Sequence, residues 1–262
     1  MDFTDKVCLI TGASSGIGKA IAIELAERDV ILILISRSKE KLEKIRKEIK
    51  NKNTSIYPCD VVDNEKISSI ISSVTNKFGK IDILINCAGF GIYEPFIKQK
   101  DDDVRRLMEV NYFGIVNTCR QVVPIMIRQG YGHIVNVSSM VGRIGFAGYS
   151  GYCASKFAVS GFTESLNEEL YDTGVKVHLI CPSGTNTNFF DHPSFKNHYH
   201  RRFPKKLTDP KTVANAIIDA IEKNKFEVNI GFLESVFLKG KYVFPNLFRW
   251  IQRVIRRRRG YK

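Results

Sequence analysis

Residues 6–18 read Lys6-Val7-Cys8-Leu9-Ile10-Thr11-Gly12-Ala13-Ser14-Ser15-Gly16-Ile17-Gly18, and the expected fold grows out of them. Lys6–Thr11 is a short apolar run that reads as a strand. From about Gly16 the period changes, with Ile17, Ala20, Ile21 and Leu25 falling on one face of a helix. The same alternation repeats along the chain. Val30–Ile35 is continuously apolar, as expected of a strand covered on both faces, and Ser38 is positioned to cap a charged helix reaching about Lys50. Further strands are expected at Ser55–Tyr57, Ile81–Ile85, His133–Val137, Val175–Ile180 and Glu227–Ile230. Helices are expected at Asp63–Phe78, Asp102–Gln129, Gly151–Thr173 and Asp209–Asn224. Seven strands with helical crossovers predict an α/β protein with a doubly wound, seven-stranded parallel sheet and helices on both faces. No internal repeat or Pro/Ser-rich linker interrupts residues 1–231, which therefore read as one domain. Residues 184–207 and a hydrophobic and basic extension, 232–262, fall outside the pattern.

Composition bounds the class. The chain has 262 residues, 44% hydrophobic and 26% charged, which excludes a disordered or collagen-like protein. No run approaches the roughly 20 apolar residues of a membrane-crossing helix. The start, Met1-Asp2-Phe3-Thr4-Asp5, has no basic stretch leading into an apolar region, so a cytoplasmic location is expected. The six cysteines (8, 59, 87, 119, 153 and 181) form no CxxC pair and read as reduced, mostly buried thiols. Seven of the net +13 charges come from residues 249–262, which contain no acid, so the chain has a basic tail on an otherwise ordinary body. Such a tail points to an anionic surface.

Sheets of this kind bind ligands beyond the carboxyl ends of their strands, where strand order reverses. The glycines after the first strand let the backbone turn tightly and approach a ligand, and the free N–H groups of the following helix favour a pyrophosphate. A plain strand–helix connection would look the same. More residues carry the signal here. The spacing is GxxxGxG, Asn86-Cys87-Ala88-Gly89 follows the fourth strand, Asn111 lies in a helix, and Ser139 stands thirteen residues before Tyr152-Cys153-Ala154-Ser155-Lys156.

In these motifs and their order the sequence resembles the short-chain dehydrogenase/reductase superfamily, from residue 5 to about 230. The resemblance implies a Rossmann-like sheet whose catalytic domain, 1–231, binds a nicotinamide cofactor. It implies a catalytic set of Asn111, Ser139, Tyr152 and Lys156, with Asn111 in a water-linked proton relay and Lys156 also on the nicotinamide ribose. Cofactor binding would fall to Gly12, Ser14, Ser15, Gly16, Ile17 and Gly18 in the turn. Asp60 and Val61 would hold the adenine, Asn86, Ala88 and Gly89 would line the adenosine side, and Pro182, Thr185 and Thr187 would line the carboxamide side. It also implies a homodimer or homotetramer paired through helices 102–129 and 151–173.

The residues support this chemistry directly. A free tyrosine, with a pKa of about 10, is a poor acid or base at neutral pH. Lys156 lies one helical turn beyond Tyr152, on the same face, and its charge is expected to lower the phenol's pKa. Tyr152 would then donate a proton to a carbonyl oxygen, or take one from an alcohol, while Ser139 hydrogen-bonds the same oxygen. Tyr152 and Ser139 would thus be the substrate-binding pair. Singly, such residues also serve as packing or as a turn cap. Tyr149 lacks a lysine four residues on, where Cys153 stands.

Cofactor choice depends on the end of the second strand, where a carboxylate would select NAD(H). Here Ser36-Arg37-Ser38 stands instead, followed by Lys39 and Lys41. Arg37 can pair with a 2′-phosphate, so NADP(H) is expected in preference to NAD(H). Alternatively, Arg37 only begins a solvated helix, and Ser15 occupies a place where NADP(H)-preferring members often carry a second base. In Cys181-Pro182-Ser183-Gly184-Thr185-Asn186-Thr187, Ser183 and Thr185 depart from the family pattern.

Residues 188–207, part of an expected lid over about 184–207, carry Phe189, Phe190, Phe195, Tyr199 and Phe203, suited to a sizeable apolar substrate. His192, His198 and His200 read as solvated rather than metal-binding, since no Cys or acid completes a ligand set. In the tail, Leu247, Phe248, Ile251, Val254 and Ile255 recur at helical spacing after Pro245. Asn246, Arg249, Gln252, Arg253 and Arg256 lie opposite, and Trp250 lies at the boundary. This describes a helix at an anionic membrane surface through residues 245–259, with Phe232–Phe244 adding apolar surface. A helix packed on its own body is the alternative, and nucleic acid is not expected. The sequence thus predicts an NADP(H)-dependent oxidoreductase reducing a lipophilic ketone or aldehyde, or running in reverse. It would be cytoplasmic, or peripheral at the inner face of a membrane. A 3-oxoacyl thioester reductase fits the motifs equally well, though not the extension. The reading from another class is a non-catalytic NADP(H)-sensing protein that docks to a membrane or partner.

Overall fold

The computed structural model describes residues 2–49, 51–196 and 207–258. Seven strands form one sheet: β1 (Val7–Thr11), β2 (Ile31–Ser36), β3 (Thr54–Pro58), β4 (Ile83–Asn86), β5 (Gly132–Val137), β6 (Val175–Pro182) and β7 (Glu227–Ile230). Their order is β3-β2-β1-β4-β5-β6-β7 and every pair is parallel. The strand order therefore reverses between β1 and β4. Thr11 pairs with Asn86 there, which brings the glycine turn and Asn86-Cys87-Ala88-Gly89 out of the sheet side by side.

The apolar strand runs are explained by two cores. Successive β1 side chains alternate: Cys8 and Ile10 face one core with Leu34, Ile21 and Leu25, and Val7 and Leu9 face the other with Ile33, Ile67 and Leu84. Helices α1 (Gly16–Ala26) and α2 (Lys39–Ile49) line the first core, and α3 (Asn64–Phe78) the second. Ser38 accepts a hydrogen bond from the Lys41 N–H, the capping contact expected for α2. All six cysteines are free, and burial pushes the Cys119 and Cys181 thiols up to about 12.

The segment expected as one helix, Asp102–Gln129, is divided. Helix α4 (Asp101–Met108) runs into a π turn, Glu109–Phe113, before α5 (Gly114–Gln129). The π turn contains Asn111. One-turn π insertions disturb the regular hydrogen-bond ladder and recur at functional sites. Helix α6 (Ser150–Glu169) carries Tyr152 and Lys156; a short turn, α7 (Pro193–Lys196), and α8 (Pro210–Glu222) follow β6.

Beyond β7 come α9 (Phe232–Val243) and α10 (Pro245–Arg258). They corrected the expected division of the tail. Phe248 is buried with Leu238 against Met140, Ile144, Leu179 and Cys181, and its ring centroid lies 4.5 Å from that of Phe237. Gln252 donates to the Gly145 carbonyl (3.0 Å) and Lys241 to the Arg143 carbonyl (2.6 Å). Leu247, expected beside Phe248, instead faces solvent, as does Trp250. One apolar stripe thus splits into an inward edge that closes on the body and an outward edge. The Ile255 and Arg256 side chains, residues 259–262, and the lid positions His198, Tyr199, His200 and Phe203 lie outside the described residues. No helix among the described residues is long and apolar enough to cross a membrane.

Candidate active site

Three glycines shape the crevice between β1 and β4. Gly12 has φ +67°, and a Cβ there would lie 2.8 Å from the Ala88 backbone; at Gly18 it would overlap the Gly12 carbonyl. Gly16, at φ +54°, faces Thr187, whose Cγ2 would be 3.0 Å from a Cβ. Only bare backbone fits at these three places. Ser15 is the N-cap of α1 but makes no side-chain cap bond, so first-turn N–H groups point out without that partner. These are the donors an anion takes at a helix N-terminus. Ser14 and Ile17 complete the turn. At the end of β2, the buried Ser36 Oγ has no hydrogen-bond partner, and Arg37 beside it is exposed with no ion pair among the described residues. A glycine cradle, uncapped helix donors and an orphaned hydroxyl fit a dinucleotide along this crevice.

Several expected cofactor residues are engaged within the protein. The Asn86 side chain is buried; its amide donates to Asn136 Oδ1 (2.9 Å) and its oxygen accepts from Thr118 Oγ1 (2.8 Å). Asn86 thus ties β4 to β5 and α5. The Cys87 and Ala88 N–H groups donate to Thr11 Oγ1, both at 3.2 Å. Asp60 pairs with Arg106 (2.5 Å) and accepts from the Val62 N–H, while Val61 is buried next to it. Thr185 Oγ1 donates to the Ser183 carbonyl (3.0 Å), and Thr187 Oγ1 accepts from the Phe189 N–H (3.2 Å). Pro182 ends β6, and its carbonyl accepts from Ser139 Oγ at 3.3 Å.

The four residues expected for catalysis lie on three elements: Asn111 in the π turn, Ser139 in the turn after β5, and Tyr152 and Lys156 on α6. Asn111 is fully buried; its oxygen accepts from the Phe90 N–H, and its amide donates to the Phe90 carbonyl and to Ser155 Oγ, each at 2.9 Å. Its side chain therefore fixes the loop after β4 to α6. A Cβ at Gly89 would lie 3.0 Å from Asn111 Oδ1 and 3.5 Å from Lys156 Nζ, so the three meet. Lys156 Nζ donates to the Val137 carbonyl at 2.9 Å. Ser139 caps a short turn by accepting from the Val141 N–H, and its hydroxyl favours the charged form of the Tyr152 phenol.

Electrostatics differ from expectation. Burial raises the Tyr152 phenol well above its ordinary range, with the Ser139 hydroxyl pulling the other way. Burial also brings Lys156 down to about 8. Removal from water thus sets the phenol's shift, opposite to the fall expected beside Lys156: Tyr152 is held as a proton donor through neutral pH. The lysine shift has a consequence for stability. Between about pH 8 and 10.5 the unfolded chain holds a proton the folded protein has released, so this group adds stability as pH rises. Below about pH 8, its burial costs about 3 kcal/mol. Lys156→Met is therefore expected to keep or raise the melting temperature at pH 7 while losing turnover, and to flatten the alkaline rise. A melting temperature that falls at pH 7 would contradict this.

An aromatic cover lies over the phenol. Phe189 is 5.3 Å from Tyr152 between ring centroids and packs on Phe190 and the buried Phe195. A Cβ at Gly91 would enter the Phe189 ring, so this glycine admits the cover. His192 contacts Ser194 Oγ, which accepts from the Tyr93 N–H. Tyr149 packs edge-on against Tyr93 at 4.8 Å, a packing position.

Residues 6–196 match the family model described as short chain dehydrogenase. That covers most of the chain and every element from β1 through the aromatic cover. The chain belongs to this family. This short chain dehydrogenase is similar to a 3-oxoacyl-[acyl-carrier-protein] reductase of Thermotoga maritima, 38% identical over 71% of this chain and 77% of that one. It is similar also to a 3-ketodihydrosphingosine reductase of Dictyostelium discoideum, 34% identical over 85% of this chain and 74% of the relative. A solved short-chain dehydrogenase of Streptomyces avermitilis superposes with a TM-score of 0.83 at 30% identity, covering 95% of this chain and 97% of the other. The dehydrogenase is thus an oxidoreductase of a family that uses a nicotinamide cofactor. Arg106, Thr118, Asn136 and Ser155, which hold its site residues in place, were not legible in the sequence. Their partners lie 32 to 50 residues away, and no local pattern marks them.

Proposed function

We propose that this dehydrogenase reduces a ketone or aldehyde on a lipophilic molecule, or runs the reverse oxidation, with NADP(H) preferred over NAD(H). The observation that carries this reading is that Tyr152 and Lys156, one turn apart on the buried side of α6, stand with Ser139 at the carboxyl end of β5, where Lys156 Nζ holds the Val137 carbonyl and Phe189 packs on Tyr152. A bound nicotinamide supplies the hydride that the carbonyl carbon accepts. Tyr152 gives its phenolic proton to the carbonyl oxygen, so hydride and proton together convert C=O to CH–OH. Ser139 Oγ holds that oxygen by hydrogen bonding. Lys156 keeps positive charge beside the reacting centre, and Asn111 fixes the loop that frames it.

Both named relatives are reductases of 3-oxo or 3-keto compounds, and the Phe189–Phe195 cover supports an apolar chain next to the carbonyl. Arg37 and the absence of an acid at the end of β2 support the 2′-phosphate. Residues 1–231 form the catalytic unit in this account, acting in the cytoplasm as a homodimer or homotetramer. The test is consumption of NADPH and NADH with 3-oxo compounds of increasing chain length. Oxidation of NADPH is expected, with kcat/KM rising with chain length. Binding of NADPH without turnover of any carbonyl would favour the sensing alternative.

A further inference from the structure

We propose that the outward edge of α9 and α10 docks this protein on a lipid surface carrying anionic headgroups. The inward edge already has its partners, since Phe248 is buried against Met140 and Ile144 and Gln252 is bonded to the Gly145 carbonyl. What remains is a continuous exposed apolar stretch at the junction of the two helices. Tyr242, Val243 and Phe244 are 61–66% exposed, Leu247 53% and Trp250 61%. In a helix, Leu247 and Trp250 lie on one side of the outward arc, and the exposed Arg249, Arg253 and Arg257 lie on the other. No Asp or Glu follows Glu234, so nothing in this stretch neutralises those cations.

This arrangement suits an interfacial helix: apolar side chains enter the acyl boundary, the indole sits at headgroup level, and guanidinium groups meet phosphates. A second copy of the chain fits less well. In a twofold contact the same patch faces itself, bringing like charges together. A nucleic acid would pair with the arginines but leave Val243, Phe244 and Leu247 without apolar partners.

Trp250 is the only tryptophan in the chain, so its fluorescence reports this surface alone. Full-length protein is titrated with phosphatidylcholine vesicles and with vesicles containing phosphatidylglycerol. Emission is expected to shift to the blue only with the anionic vesicles, and to return as salt is raised. Replacing Arg249, Arg253 and Arg257 together by Gln should weaken binding by about 100-fold, taking about fivefold per cation, with an unchanged melting temperature. Val243→Ser combined with Leu247→Ser should weaken binding and reduce the shift. Unchanged emission with anionic vesicles overturns the proposal. So does a blue shift that grows with protein concentration without vesicles, which would make this an interface between copies. Binding that is indifferent to the serine substitutions overturns it as well.

Discussion

Tyr152→Phe is expected to lower carbonyl reduction by roughly 10²–10⁴-fold, the range for removing a general acid, with little change in NADPH affinity. The substitution removes one oxygen and keeps the ring. The ring is buried and packs at 5.3 Å from Phe189, so phenylalanine preserves the cover and the α6 packing. What disappears is the proton donor and the influence of the Ser139 hydroxyl on it. Ser139 can still bond to the carbonyl oxygen, and the geometry for hydride delivery survives, so a residual rate should remain. Because burial holds the phenol protonated, reduction by the parent enzyme should not decline on account of Tyr152 across neutral pH, whereas alcohol oxidation, which needs the phenolate, should climb as pH rises. Steady-state rates for parent and variant, with NADPH affinity from cofactor fluorescence, check both parts. A variant within tenfold of the parent would remove Tyr152 from the chemistry.

Arg37→Asp should weaken NADPH binding by about 100-fold or more and leave NADH binding unchanged or improved. A hydrogen bond to a charged group is worth about 1.5–3 kcal/mol, and the new carboxylate adds repulsion against a 2′-phosphate. Arg37 is exposed and no ion pair among the described residues holds it, so the fold should not suffer. The carboxylate would also sit where a ribose diol can donate to it, next to the unpartnered Ser36 hydroxyl. Titration with both cofactors decides: equal losses would show that Arg37 does not read the phosphate.

The sheet was readable from sequence because its inner strands are buried almost throughout; each of the seven expected strands is present, with ends shifted by at most two residues. The placement of Tyr152 and Lys156 one turn apart on one helix, and of Ser139 just past a strand end, was readable from their spacing and from the apolar run before Ser139. Other features depend on tertiary packing. The π turn at Asn111 leaves no trace in a periodicity that runs through Asp102–Gln129. The inward turn of Phe248 and outward turn of Leu247 are set by where Met140 and Ile144 happen to lie. The Tyr152 shift runs opposite to expectation because burial, which spacing does not reveal, is its largest cause. Asn86 and Asp60 were assigned to the cofactor by resemblance, and their side chains turn out to be held by Asn136, Thr118 and Arg106.

The most direct measurement follows the hydride itself. NADPH carrying deuterium on the transferable face of its C4 is incubated with the protein and a long-chain 3-oxo compound, and the product is examined by mass spectrometry. One deuterium on the new carbinol carbon is the expected result, with the labelled product forming roughly 10²–10⁴-fold more slowly when Tyr152 is replaced by Phe. Labelled cofactor that stays bound and intact beside an unreduced carbonyl, across chain lengths, would contradict it.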